Sequence, residues 1–231
     1  RSAGTREDVG IKVPNWIGNL TSLEELSLKI SGEFSTLVEE LGKLTELRVL
    51  DCHLRGPLND CSKKTLVDSV CKLEKIQILR LKGLCGWSKS EADNWEGYKP
   101  PRQLRELYIS IEFNRLPAWI NSSLLPNLSK LKMQAYPMEE RDVVNLWGLP
   151  ELRSLKELWI RPGGMEFPDG AFPKLRSCGI DAPFWFQPGS MRSLECITFG
   201  FGTMWYMRDA VIDFDFISTL VNLPSLRWVF A

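Results

Sequence analysis

The residues of this 231-residue chain best suited to nucleophilic chemistry surround its single histidine, His53. Asp51 and Cys52 precede it directly, and a Ser-His-Asp or Cys-His mechanism would have to use it. The pattern described below places these residues on a strand, so Cys52 should point inward while Asp51 and His53 point outward. No glycine turn that could form an oxyanion site adjoins them. We therefore predict a surface histidine, and we expect no enzyme.

The remaining polar groups give no catalytic or metal-binding pattern. The acidic pairs Glu39–Glu40 and Glu139–Glu140 are expected to be solvated charge. The cysteines lack a CxxC pair or other compact metal-ligand spacing, so neither a metal site nor a cofactor is predicted. Their even number leaves a disulfide framework open, but reduced thiols are favoured because Cys52 and Cys178 fall where the pattern needs buried apolar residues. The six cysteines are Cys52, Cys61, Cys71, Cys85, Cys178 and Cys196.

The charge balance and the lengths of the apolar runs argue against two classes of protein. Lys+Arg and Asp+Glu both number 29, which argues against a general nucleic-acid binder. No apolar run approaches the roughly 18 residues that suggest a membrane span. The chain begins with Arg1 and stops abruptly after LPSLRWVFA, so it is expected to be truncated at both ends. The lack of targeting signals therefore says nothing about the parent protein.

A short apolar motif, LxxLxL, recurs along the chain. Successive copies begin between 19 and 32 residues apart, mostly within or near the range of leucine-rich repeats. The nine copies are Leu23/Leu26/Leu28, Leu47/Leu50/Cys52, Ile76/Leu79/Leu81, Leu104/Leu107/Ile109, Leu128/Leu131/Met133, Leu155/Leu158/Ile160, Leu175/Cys178/Ile180, Leu194/Ile197/Phe199 and Leu226/Val229/Ala231. We predict an α/β leucine-rich-repeat solenoid, formed by residues 1–231 as a single domain of about nine irregular repeats.

The predicted solenoid has two different faces. Each motif forms a short strand, and the strands stack into a parallel sheet on the concave face. The rest of each repeat returns as loops or short helices on the convex face. In the first repeat, Trp16, Leu20, Leu23, Leu26 and Leu28 are expected in the core, and Trp119 is placed there because LPAWI matches VPNWI. The aromatic run APFWFQP and Trp205 are expected to fill coils that lack leucines.

Partner binding is expected on the concave face, because the outward strand positions of successive repeats align there. Aromatic and arginine side chains dominate protein–protein hot spots, which favours the basic and aromatic middle of this surface. By register the candidate partner-binding residues are Lys29, Asp51, His53, Arg80, Lys82, Tyr108, Lys130, Lys132, Trp159, Arg161, Asp181 and Trp228.

Several phrases resemble the leucine-rich-repeat region of coiled-coil-type plant NLR disease resistance proteins, especially those of cereals. VPNWIGNLTSLEELSL and RLPAWINSSLLPNLSKLKM are similar to that family's LPxWI repeats, and LVDSVCKLEKIQILRLKG to a mid-domain repeat. GAFPKLRSCGI, FQPGSMRSLECITFGF and LVNLPSLRWV are similar to its C-terminal repeats. The resemblance covers nearly the whole chain from Ile11 onward.

The resemblance implies a cytoplasmic recognition and autoinhibition module in plant defence. Its partners would be a pathogen effector or a guarded host protein, together with the nucleotide-binding switch domain. The P-loop of that switch, G-x-x-x-x-G-K-[ST], is not in this chain. Two alternatives stay open: an extracellular receptor ectodomain, favoured by the sequons at Asn19, Asn121 and Asn127, and the substrate receptor of a ubiquitin ligase. An upstream P-loop, signal peptide or F-box would distinguish the three.

Overall fold

In the part of the chain that the structure describes, nine short strands lie side by side in one parallel sheet, in the order in which they occur along the chain. The computed structural model describes residues 14–32, 34–56, 59–84, 95–113, 115–135, 140–158, 165–180, 184–200 and 214–230. Its strands are β1 (Glu25–Ser31), β2 (Val49–Arg55), β3 (Ile78–Lys82), β4 (Glu106–Phe113), β5 (Lys130–Ala135), β6 (Ser154–Leu158), β7 (Met165–Phe167), β8 (Ser177–Ile180), β9 (Phe184–Phe186), β10 (Cys196–Phe199) and β11 (Trp228–Phe230). β7 and β9 pair separately, and the other nine strands form the large sheet.

The motif leucines align in register from strand to strand. Leu26 pairs with Leu50, which pairs with Leu79, which pairs with Leu107. These four side chains are at most 7% exposed, because each points from its strand into the core shared with the neighbouring repeat. The predicted α/β leucine-rich-repeat fold is confirmed.

The return segments are partly helical. The α-helices are α1 (Ser35–Leu41), α2 (Asp60–Cys71) and α3 (Glu140–Trp147), and Ile17–Asn19 and Phe214–Asn222 form 3₁₀ helices. The Asn59 side chain caps α2 by accepting a 2.8 Å hydrogen bond from the Ser62 amide. α1 and α2 pack together, and the Ser69 hydroxyl of α2 donates to the Val38 carbonyl of α1 at 2.8 Å.

A line of backbone hydrogen bonds before the strands fixes the repeat boundaries. From the second repeat onward, the amide of the residue after the first motif leucine donates to the backbone carbonyl of the equivalent residue in the preceding repeat. Arg105, for example, donates to the carbonyl of Gln77 at 2.7 Å. The members of this line are Glu24, Arg48, Gln77, Arg105, Ser129, Arg153, Arg176, Glu195 and Arg227.

The predicted sixth copy, which began at Leu155, was out of register by three residues. Arg153 occupies the hydrogen-bonded line, so Leu152 is the first motif position, and Leu155 pairs with Leu131 as the second. Leu158 then pairs with Ile180 after an irregularity in the pairing of β6 with β8. Leu152 and Leu155 are both buried, at 1% and 2% exposed. Either leucine could therefore be the first motif position as far as hydrophobicity is concerned.

The first repeat is less buried than predicted. Leu26 lies in the core, but Trp16 and Leu20 are 55% and 43% exposed, and Leu23 and Leu28 are only partly buried. β1 is an edge strand of the described sheet, and among the described residues its repeat has a neighbouring strand, β2, on one side only. Trp119, by contrast, is buried as predicted, and its indole N–H donates to the Trp95 carbonyl at 2.7 Å.

A second, two-stranded sheet lies in the return segments on either side of β8. β7 pairs with β9 in parallel, Met165 with Phe184 and Phe167 with Phe186. The rings of Phe167 and Phe184 stack with centroids 4.8 Å apart, and both side chains are fully buried. The aromatic run thus fills the core of these short repeats, as predicted for Phe184 and Phe186, whereas Trp205 lies outside the described residues.

Candidate protein-binding face

Eight of the predicted partner-binding residues lie together on the face of the large sheet that points away from the leucine core. Asp51, Arg80, Tyr108 and Lys132 form one row of paired residues across β2–β5. A second row runs through Lys29, His53 and Lys82. Lys130 precedes Leu131 and pairs with Glu106 and Ser154. Neighbouring strands are about 4.8 Å apart, so side chains within a row are in reach of one another.

Ion pairs link the strands across this concave face. Arg80 lies between two carboxylates, donating to Asp51 at 3.1 Å and also to Glu106. Lys82 approaches Asp51 at 2.8 Å, and Lys130 approaches Glu106 at 2.7 Å. The chain of ion pairs runs from Lys82 through Asp51, Arg80 and Glu106 to Lys130 and involves the four strands β2–β5. The side chain of Arg80 at its centre is 33% exposed. Such a network holds side chains in a defined pattern more than it stabilises the fold.

The two carboxylates are ionised in this setting. Burial alone would raise the pKa of Asp51, but hydrogen bonds from Lys82 and Arg80 outweigh it and lower the pKa below its usual value. Burial acts in the same direction on Glu106, and hydrogen bonds from Lys130 and Arg80 lower its pKa in the same way. At neutral pH both groups therefore carry a full negative charge.

Tyr108 forms the aromatic centre of the face. The ammonium of Lys132 lies 4.7 Å from its ring centroid and that of Lys82 lies 5.7 Å away, distances that allow cation–π attraction. The ring borders a hollow of about 360 Å³ that extends across β3–β6. The charged side chains lining it are Arg80, Lys82, Glu106, Lys130, Lys132 and Lys156.

Sequence reasoning missed two residues of this site, Glu106 and Lys156. Lys156 pairs with Lys132 and continues its row, but the sixth motif copy was placed three residues too late. Glu106 directly precedes Leu107, as Lys130 directly precedes Leu131. The repeat pattern could therefore have placed Glu106 on the same face as Lys130.

The other four predicted site residues are not part of this cluster as the structure describes it. Trp159, Arg161 and Asp181 fall outside the described residues, and the register from which Trp159 and Arg161 were assigned is the one corrected above. Trp228 of β11 pairs with Cys196 of β10, and the three side chains of β11 are about half exposed. It is therefore four strands from Lys130, at one edge of the described sheet.

The geometry separates the potential nucleophile from the histidine. Cys52 is fully buried on the core side, and burial raises the pKa of its thiol to about 12. His53 lies on the opposite face, where its Nε2 accepts a 3.3 Å hydrogen bond from Arg55. Burial and then the positive charges of Arg55 and Lys29 lower the pKa of His53, which favours the neutral imidazole. The predicted inward Cys52 and surface His53 are confirmed.

Within the described ranges, no group of three or more His, Cys, Asp or Glu side chains is arranged to hold a metal ion. No helix in that part of the chain is both long enough and apolar enough to cross a membrane.

Comparison with known proteins identifies the repeat. The leucine-rich repeat region family matches residues 6–231. Among solved structures, an LRR protein of Leptospira interrogans is similar over 94% of this chain, with 16% sequence identity and a TM-score of 0.44. This chain covers 62% of that protein, so it spans less than two thirds of its length. Among curated protein sequences, none matches.

Proposed function

The chain belongs to the leucine-rich repeat region family, and on that premise we propose that it is a protein-recognition module that acts without catalysis. A stack of short repeats presents its outward strand residues as one continuous surface, which suits the binding of another macromolecule. The potential nucleophile Cys52 is buried behind the sheet, away from His53. The chemistry of the concave face is therefore that of binding.

The observation that carries the proposal is the ordered set of polar and aromatic side chains around Tyr108. Free surface lysines and arginines lose conformational entropy on binding, which weakens association. Here Arg80, Lys82 and Lys130 are already positioned by Asp51 and Glu106. An aromatic ring flanked by fixed cations is the kind of anchor on which protein interfaces depend.

A more specific proposal concerns the biological setting. We infer that this module belongs to an intracellular plant immune receptor, where it binds a pathogen effector or a host partner and restrains a nucleotide-binding switch domain. The support is the ordered resemblance of the VPNWI, LPAWI and C-terminal phrases to NLR repeats. Binding at the concave face would then shift the equilibrium of that switch through differential affinity for its two states.

Site-directed photocrosslinking tests protein recognition. The photoreactive residue p-benzoylphenylalanine would replace Tyr108, and in a matched control it would replace the exposed Lys64 of α2. In extracts of the source cells, the Tyr108 derivative should crosslink a discrete polypeptide, and excess unsubstituted protein should abolish the product. Identical products from both positions, or no specific product at Tyr108, would reject the concave face as the recognition surface.

The complete open reading frame tests the proposed setting. An immune receptor requires a P-loop in the same polypeptide, and the separately expressed nucleotide-binding region should co-precipitate with this chain. An upstream signal peptide without a P-loop would instead indicate an extracellular receptor ectodomain. An upstream F-box would indicate the substrate receptor of a ubiquitin ligase.

A further inference from the structure

We infer that Lys156, Trp228 and Phe230 form a second recognition region on the concave face, which binds an extended segment of the partner protein. The segment places a carboxylate at Lys156 and an apolar side chain, further along the same segment, against the two aromatic rings. This inference rests on the proposed protein-recognition function and specifies the chemistry of the ligand at the end of the sheet that lies away from Tyr108.

The two aromatic side chains of β11 point to the concave face. Val229 lies between Trp228 and Phe230 and pairs with the fully buried Ile197 of β10. Because paired residues of parallel strands point to the same side of a sheet, Val229 points towards the core and its two neighbours point away from it. Trp228 and Phe230 are 49% and 54% exposed, so about half of each ring surface is open to a partner. Aromatic side chains of this kind are the usual apolar anchors of protein interfaces.

Lys156 supplies a positive charge at the other end of this region. It is exposed, and within the described parts of the chain no carboxylate lies in ion-pair distance of it. The cations of β3 and Lys130, by contrast, already pair with Asp51 or Glu106. A carboxylate of the partner is therefore the group that complements Lys156.

A hollow of about 240 Å³ connects Lys156 with the aromatic pair. Lys156 is the one charged group among the described residues that line it, and Ser177, Gly179 and Thr198 lie along its floor. Gly179 pairs with Thr198, which in turn pairs with Phe230, so the hollow leads directly to β11. None of the three floor residues has a long side chain, and a bound backbone can therefore approach the sheet closely.

The distance across this region fits an extended peptide. Lys156 and Phe230 lie on β6 and β11, which are separated by β8 and β10. Three strand spacings of about 4.8 Å amount to roughly 14 Å. In an extended chain, residues four positions apart point to the same side and are about 13 Å apart. A segment with an acidic residue four positions from an apolar one can therefore contact both ends, and the residue midway between them faces the hollow.

Nucleic acid and membranes fit this region less well than a protein segment. Single-stranded nucleic acid combines stacking on aromatic rings with a cationic groove that follows its backbone. Anionic lipid surfaces are recognised by clusters of several lysines and arginines. Between Lys156 and the rings, the described outward residues are small and uncharged, namely Ser177, Gly179, Cys196 and Thr198. One carboxylate and one apolar side chain match this arrangement.

Selection from a display library of random 12-residue peptides tests the inference, with the whole chain as the immobilised target. The wild type should enrich peptides that carry Asp or Glu four positions from an aromatic or aliphatic residue. Lys156→Glu should change the acidic preference to a basic one and keep the apolar preference. Trp228→Thr/Phe230→Thr should remove the apolar preference and keep the acidic one. Lys64→Glu on α2 is the matched control and should select the wild-type pattern, with far-UV circular dichroism confirming that each variant is folded.

Fluorescence anisotropy gives the size of the effect. The probes are a fluorescein-labelled copy of the most enriched peptide and a second copy with Gln or Asn in place of its acidic residue. We expect the amide copy to bind the wild type at least tenfold more weakly than the acidic copy. The two copies should bind Lys156→Gln with equal affinity, because the carboxylate has then lost its partner.

Several results would overturn the inference. They are the absence of an acidic–apolar pair at this spacing, a pattern that Lys156→Glu leaves unchanged, and equal binding of the two probes to the wild type. Equal competition by single-stranded DNA or by phosphatidylserine vesicles would also overturn it, since the region would then not be selective for protein. If the Tyr108 photocrosslink persists while the selection fails, only this inference is rejected. Loss of the crosslink itself would reject the proposed function.

Discussion

Substitution of two adjacent residues of β3, Leu79 and Arg80, should separate the stabilising face of the sheet from its binding face. Leu79 is fully buried between the equivalent leucines of β2 and β4. Truncation of a buried leucine to alanine costs about 3 kcal/mol or more, because the transfer free energy is lost and a cavity remains. Leu79→Ala should therefore lower the free energy of unfolding by about 3 kcal/mol.

Arg80→Ala should have a much smaller effect on stability, despite the loss of two ion pairs. The guanidinium is 33% exposed, and partly exposed pairs contribute about 0.2–1 kcal/mol each. Asp51 keeps Lys82 as a partner and Glu106 keeps Lys130, so no buried charge is left alone. Two such pairs together contribute about 0.4–2 kcal/mol, and because both carboxylates keep a partner we expect a loss of about 1 kcal/mol.

Urea unfolding followed by far-UV circular dichroism measures both effects. The transition of Leu79→Ala should move to lower urea at an unchanged slope, and that of Arg80→Ala should move by a third of that shift or less. Equal shifts, or a larger one for Arg80→Ala, would refute the assignment of Leu79 to the core and Arg80 to the concave face. A reduced slope in either variant would mean that the repeats no longer unfold as one unit.

Three further outcomes follow from the buried groups and tight turns. Folding raises the pKa of the Cys52 thiol from 9.0 to about 12. As the pH rises, the thiol of the unfolded chain therefore ionises before that of the folded protein, which stabilises the unfolded state. The free energy of unfolding of the wild type should fall between about pH 9 and pH 12. The stability gap between wild type and Cys52→Ala, measured by urea titration at each pH, should narrow over that range; a constant gap would contradict the burial of the thiol. Gly83 has a φ of +72°, and a Cβ added there would lie 2.6 Å from a backbone carbonyl oxygen. Gly83→Ala should therefore lower the melting temperature. The decrease should be larger than that of the control Gly97→Ala, whose added Cβ would meet open space. Trp119→Phe should cost about 1–3 kcal/mol in urea unfolding, because the Trp95 carbonyl loses its 2.7 Å donor; a neutral effect would deny that bond a stabilising role.

The sequence predicted the fold where each repeat has one unambiguous apolar pattern. In β2–β5 the motif leucines allow a single alignment, and the row through Asp51, Arg80, Tyr108 and Lys132 follows from it. The sixth repeat failed because apolar residues at 152, 155, 158 and 160 permit two alignments. Backbone hydrogen bonds between repeats decide between them, and these depend on the neighbouring strand.

The second sheet was also missed, although the sequence contains a signal for it. MEFPDG and FWFQPG are similar phrases, and they are offset along the chain by the same distance as β8 and β10. The ion pairs of the concave face were out of reach for another reason. Which carboxylate engages Arg80 depends on rotamers and on lateral neighbours, such as Glu106, that alternation alone does not single out.

The pairing of β7 with β9 has a consequence for how the molecule bends. Packed helices stand about 9 Å apart, whereas paired strands stand about 4.8 Å apart. α1 and α2 pack behind the sheet, in a layer about 10 Å from the strands. Because the helices are spaced more widely than the strands, neighbouring repeats there are tilted by on the order of 20° relative to each other. Where β7 and β9 form the back, both layers share the strand spacing and the tilt falls towards zero. The arc of the solenoid should therefore be tight at its first repeats and nearly straight around β8, a difference in curvature that small-angle X-ray scattering can measure.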